Sequence, residues 1–108
     1  MSALGSKLRS LEAGRVMFWC PGCNQAHQVT VFDDPNRQGP IWGFNGDGDA
    51  PTFTPSIFVN PPGQFHNPGV TSCHSFVTEG RIHFLEDSTH WLAGHTVALP
   101  LWPGWGGL

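Results

Sequence analysis

The chain has 108 residues, a formal net charge of -3 and only 12% charged residues, against roughly 25% in an average soluble domain. That length suits one domain with one modest core. The absence of a basic stripe excludes nucleic acid as a partner, because binding to phosphates needs clustered Lys and Arg. No run of about 18 apolar residues is present to span a membrane.

The opening "MSALGSKLRSLEAG" lacks the apolar centre and cleavage pattern of a secretory signal. With three Cys, an odd number that does not make a disulfide framework, a cytoplasmic protein with reduced thiols is expected. The 14 Gly and 10 Pro disfavour long helices. Interspersed with aromatic and β-branched residues, they indicate a mainly β, hairpin-rich antiparallel sheet or sandwich with at most one or two short helices. Five Trp and few charges suggest a partly apolar surface that meets a protein or peptide partner.

In chain order, residues 1–14 read as an N-terminal arm or short helix, with Leu4, Leu8 and Leu11 at helical spacing. Residues 15–108 read as a single zinc-binding β domain. "RVMFWC" and "AHQVTVF" are two strands joined by "CPGC", and "IWGFNG" is a short strand. "NGDGDAP" superficially resembles a calcium loop, but lacks the spacing and closing Glu of an EF-hand and reads as a turn. "PTFTPSIFVN" is extended, and its prolines confine at least the first half to an edge.

The strongest hairpin signal is "TSCHSFVT", "EG", "RIHFLE". With Glu79-Gly80 as the turn, Cys73, Ser75 and Val77 share one face with Ile82 and Phe84. His74 and Phe76 then face the other way. "DSTHWLAG" reads as about one helical turn capped by Asp87 or Ser88, "HTVALPL" as a last strand, and "WPGWGGL" as a tail.

Cys20 and Cys23 span Pro-Gly, the usual zinc knuckle, whose turn aims two sulfurs at one point. Cys73 is the remaining thiol and the natural third ligand. The fourth is open among His27, His90 and His74, in that order of preference, giving Cys20, Cys23, His27 and Cys73 as the working set. Four protein ligands make such a zinc structural, and its binding energy becomes folding energy. A redox role for "CPGC" lacks its βαβ setting.

With Cys73 turned to the metal, His74 on the other face is free for acid–base work. Ser56 and Ser72 are nucleophile candidates, and Asp87 a possible orienting acid. A Ser, a His and an Asp within reach meet the minimum for acyl transfer. The competing readings are a packed His, backbone-bonded Ser hydroxyls and a helix-capping Asp.

The ordered series "FWCPGC", "WGFNG", "PTFTPSI", "CHSF", "GRIHFLEDSTHWLAG" and "TVALP" resembles a small phage and provirus family over roughly residues 18–103. That family is commonly labelled "ammonia monooxygenase". The label implies copper and a membrane, for which this chain has neither the His cluster nor the spanning stretch. The family is also similar to the candidate serine-type peptidase domain of bacterial ubiquitin-like conjugation operons.

Carried over from that domain, Cys20 and Cys23 match its knuckle, and Ser56 matches the last Ser of its "SPS" segment. Cys73 and His74 match a Cys-x-Ser-His-Phe segment, except that here they are adjacent. Thr54 replaces a Ser, and "DSTH" is an addition. The resemblance implies a zinc-stabilised hydrolase, a peptidase acting on a protein tail such as a ubiquitin-like protein. Ser56 would be the nucleophile, His74 the base and Asp87 the orienting acid. Two alternatives stand beside it: a non-catalytic zinc module that binds a protein, and a zinc-dependent metallohydrolase.

Overall fold

A computed structural model of the chain describes residues 2–103. Its strands are β1 (Ser2–Leu4), β2 (Leu8–Ser10), β3 (Arg15–Cys20), β4 (Gln25–Thr30), β5 (Gly43–Phe44), β6 (Phe53–Val59), β7 (Cys73–Thr78), β8 (Arg81–Phe84) and β9 (Thr96–Ala98). They form two antiparallel sheets, β1-β2-β3-β4 and β5-β6-β7-β8-β9. Among the described residues there is no helix, so none is long and apolar enough to cross a membrane.

Alternation builds the core. In β3, Val16, Phe18 and Cys20 point inward and are fully buried; in the second sheet so are Phe53, Cys73, Val77, Ile82 and Phe84. The Phe18 and Phe53 rings join the two sheets, stacked with centroids 6.0 Å apart. Each such side chain contributes roughly 1.5–3 kcal/mol when removed from water. Trp42 ties the sheets a second time. Its backbone N–H donates to Thr30 O at 2.8 Å and its indole N–H to Ser56 O at 3.2 Å.

The hairpin of β7 and β8 closes as its sequence demands. Glu79 (φ 49°) and Gly80 (φ 77°) both take positive φ, the requirement of a tight two-residue turn, and Thr78 pairs with Arg81. Cys73, Ser75 and Val77 are buried, whereas His74 is half-buried and Phe76 exposed. The ladder to β8 runs as far as Ser75 opposite Phe84, and Cys73 itself pairs with Val59 of β6.

Two segments differ from expectation. Residues 2–10, expected as an arm or short helix, form a hairpin on the edge of the first sheet, with Leu4 opposite Leu8 and Leu8 fully buried. A four-residue spacing puts two side chains on one face of a helix, but it also sets them opposite each other across a tight turn. The segment "DSTHWLAG" forms successive turns, closed by bonds such as Ser88 N–H to Leu85 O at 3.1 Å and Ala93 N–H to His90 O at 3.2 Å. No helix forms there because Ser88 and Thr89 spend their hydroxyls on the neighbouring strand, as described below.

In "NGDGD" the side-chain oxygens of Asn45, Asp47 and Asp49 accept backbone N–H groups, including that of Ser6 at 2.8 Å. The bond from Ser6 lowers the Asp49 carboxyl below its ordinary value. Of the expected tail, residues 104–108 lie outside the described residues, while Trp102 packs buried, its ring edge-on to Trp19.

Candidate active site and metal centre

The knuckle is built by the turn between β3 and β4. Cys20 ends β3, Asn24 takes φ 55° and bonds back to Cys20 O at 2.8 Å, and the Cys23 N–H points at Cys20 Sγ at 3.4 Å. Cys73, opening β7, brings its sulfur to 3.8 Å from Cys20 Sγ. His90 Nε2 comes to 3.4 Å from Cys73 Sγ. The donor atoms of Cys20, Cys23, Cys73 and His90 all lie within 4.8 Å of one another and could hold a metal ion. A tetrahedral ion with metal–sulfur bonds of about 2.3 Å would space its sulfurs about 3.8 Å apart, so this edge already has the right length.

Local sequence explains why these four meet. Gly22 has no side chain where the His90 ring lies; a Cβ there would overlap the imidazole. The His90 ring also packs edge-on against Phe84 at 4.5 Å. Thr71 supplies a hydroxyl 3.2 Å from Cys23 Sγ. Ligation through His90 Nε2 would place the ring proton on Nδ1, at the expense of the bond that Nδ1 accepts from Leu92 N–H at 3.2 Å.

The thiols influence one another strongly. Cys23 is held far below its ordinary value, mainly by hydrogen bonding to Cys20 and then Cys73. Cys73 is pushed up by hydrogen bonding with Cys20 and Cys23 and by burial. Opposite shifts in one pocket mean that like charges cannot all form there without a counter-cation. A donor set of this kind fits a divalent metal.

His27, the preferred fourth ligand from sequence, is not in this group. It pairs with Phe18, while Cys20 pairs with Gln25. Its ring still borders the knuckle closely enough for Cys20 and Cys23 to act on it. It is buried and stands edge-on to Phe18. Burial pushes its value down, but hydrogen bonding to Cys20 and Cys23, aided by their negative charge, outweighs this and raises it to about 9.

On the outer face of the second sheet a different set converges. His74 Nε2 lies 3.0 Å from Ser56 Oγ, and His74 Nδ1 lies 3.0 Å and 3.1 Å from the two carboxylate oxygens of Asp87. Ser56 sits on β6, where the register with β7 shifts between Phe53 and Ile57. Phe58, two residues on, pairs with His74, so alternation puts Ser56 on the same face as the imidazole. The other serines are committed elsewhere: Ser72 Oγ donates to Asn60 O at 2.7 Å, and Ser75 Oγ is fully buried in the core. A cavity lined by Ala13, Arg15, Asn36 and Gln38 includes none of Ser56, His74 or Asp87. The triad lies on a sheet face.

Residues 87–90 join the two centres. The Asp87 carboxylate meets the His74 imidazole. Ser88 Oγ accepts from His74 N–H at 3.0 Å and donates to His74 O at 3.1 Å. Thr89 Oγ1 accepts from Ser72 N–H at 2.8 Å while its own N–H donates to Ser72 O at 2.9 Å. His90 meets Cys73. The sequence "DSTH" thus runs beside "SCH": its outer two side chains meet His74 and Cys73, and its inner two anchor the backbone. Sequence reasoning placed Asp87 and His90 among its candidates but missed Ser88, Thr89 and Thr71, whose only signal was hydroxyls flanking both.

No curated protein and no solved structure matches the chain significantly. A family model does match, over residues 4–85, a span that includes the three Cys, Ser56 and His74 and stops short of Asp87 and His90. The chain belongs to the family of the bacterial ubiquitination-like system serine protease (BubE).

Proposed function

We propose that this protein is a serine protease that cleaves a protein tail in a ubiquitination-like system, with Ser56 as nucleophile, His74 as general base and Asp87 as orienting acid. The observation that carries the reading is the unbroken line from Ser56 Oγ through His74 to Asp87, with both links at 3.0 Å. Asp87 accepts the Nδ1–H of His74, which fixes the tautomer and leaves the Nε2 lone pair facing the hydroxyl. As Ser56 Oγ bonds to the scissile carbonyl carbon, its proton passes to Nε2. That proton then goes to the departing amine as the peptide bond breaks. Water, deprotonated by His74, releases the acyl group from Ser56 and returns the site to its starting state.

The metal reading is zinc in a structural role. Three thiols and one imidazole suit zinc, and four protein donors leave no open coordination position for catalysis, which argues against a metallohydrolase. Zinc bound there would hold the start of β7 to the knuckle. Reduced thiols also suit a cytoplasmic setting.

The test is a panel of ubiquitin-like proteins carrying C-terminal extensions, incubated with wild type, Ser56→Ala and His74→Ala. Cleavage by wild type alone supports the reading. Wild type that cleaves none, or variants that cleave normally, overturns it.

A further inference from the structure

Phe58 and His74 stand directly opposite each other in the β6–β7 ladder. Their rings are stacked nearly parallel, with centroids 4.2 Å apart and planes 4° apart. Phe58 is 37% exposed, so the core does not account for a large aromatic side chain there. The two nitrogens of the imidazole are engaged at its edge, by Ser56 and by Asp87. Edge contacts of that kind leave tilting of the ring plane unrestrained. A flat ring against its face restrains it.

Stacking has a second consequence, which depends on charge. A neutral imidazole on a phenyl face gains dispersion and apolar burial. Once the imidazole carries a proton, it becomes a cation over the negative face of a quadrupole, and the attraction grows. An interaction stronger in the charged state than in the resting state accelerates the step that creates the charge. We propose that Phe58 is a positioning residue that holds the plane of His74 and stabilises the imidazolium formed as His74 takes the Ser56 proton. This rests on the Ser56–His74 reading above. The groups facing the imidazole are Asp87, from the turn after β8, and the uncharged Ser56 and Phe58 of β6.

The experiment compares wild type, Phe58→Leu and Phe58→Trp on p-nitrophenyl acetate, with Ser56→Ala as background. Phe58→Leu is expected to lose about tenfold in kcat/KM, mostly in kcat. Phe58→Trp, which restores an aromatic face, is expected to keep the rate near wild type. An unchanged rate in Phe58→Leu overturns the proposal. So does a loss that falls on KM instead of kcat, or one that Phe58→Trp shares, since that is general loosening. If wild type shows no Ser56-dependent turnover, the protease reading fails instead. The NMR shifts of the His74 ring protons still decide the stacking: identical shifts in wild type and Phe58→Leu refute it, and loss of an upfield ring-current shift in Phe58→Leu that Phe58→Trp keeps supports it.

Discussion

Cys73 and His74 share a peptide bond and face opposite ways, the sulfur 3.4 Å from His90 Nε2 and the imidazole 3.0 Å from Ser56 Oγ. Strand alternation alone requires the division. The same backbone unit therefore fixes one donor of the metal group and the imidazole proposed as the base. Residues 87–90 repeat the coupling, with Asp87 on His74 and His90 beside Cys73.

Metal removal is expected to impair hydrolysis, because Cys73 is joined to His74 through the backbone. Disturbing groups that orient a site commonly costs about 10- to 100-fold, and unfolding of the apo protein would cost more. Activity and zinc content measured together during chelator titration should fall in parallel and recover together on adding zinc. Full activity in protein shown to be metal-free would contradict this coupling.

Acid is expected to release the metal. The folded state favours the Cys23 thiolate, since hydrogen bonding to Cys20 and Cys73 holds that thiol below its ordinary value of 9.0. A group depressed in this way contributes its stability fully above 9.0 and loses it as the pH falls. A bound cation adds to the trend, because protons compete with it for the thiolates. The melting temperature of metal-loaded protein should drop between about pH 7 and about pH 5, with loss of bound metal. A rise over that range would contradict the assignment.

Gly22→Ala is expected to weaken the metal site while leaving the outer face intact, because the added methyl would overlap the His90 ring. Metal affinity by competition with a chromogenic chelator should fall about 10- to 100-fold. Unchanged affinity would mean that His90 is not held where the structure places it, or is not a ligand.

Asp87→Asn separates orientation from folding. The Asp87 side chain is 54% exposed, so its replacement should barely alter the melting temperature. Loss of the correct His tautomer costs about 10^4 in kcat in the trypsin-like case. A fall of several orders of magnitude in Ser56-dependent hydrolysis, with the melting temperature within a few degrees of wild type, is the expected result. Ser88→Ala should show the reverse emphasis. It removes both hydrogen bonds that a buried hydroxyl makes to the His74 backbone, at a stability cost of about 1–3 kcal/mol.

The sequence carried the local rules well and the long-range ones poorly. Glu79-Gly80 between alternating strands is a turn signal that needs no tertiary context, so the β7–β8 hairpin and the facing of Cys73 and His74 follow from it. The knuckle is similarly local. His27 offers itself as a fourth ligand because it is near Cys23 in sequence, and its ring does border Cys20 and Cys23, whereas His90 joins the donor group only once the turns after β8 are folded. "DSTH" was ambiguous for a physical reason: Asp, Ser and Thr cap helices with the same hydroxyls and carboxylates that here bind a neighbouring strand. At the N-terminus, Leu4 and Leu8 satisfied two geometries at once. Ser56 could be placed on an extended segment, but its approach to His74 depends on the pairing of β6 with β7 and its register, which periodicity does not encode.

The most direct measurement asks whether Ser56 is the activated nucleophile. Zinc-loaded protein would be treated with a fluorophosphonate, followed by intact mass and peptide mapping of wild type, Ser56→Ala, His74→Ala and Asp87→Asn. One adduct per wild-type chain, mapped to Ser56, absent in Ser56→Ala and His74→Ala and much slowed in Asp87→Asn, is the outcome expected of a working triad. No adduct on folded, zinc-loaded wild type, or equal labelling of all four proteins, would contradict it.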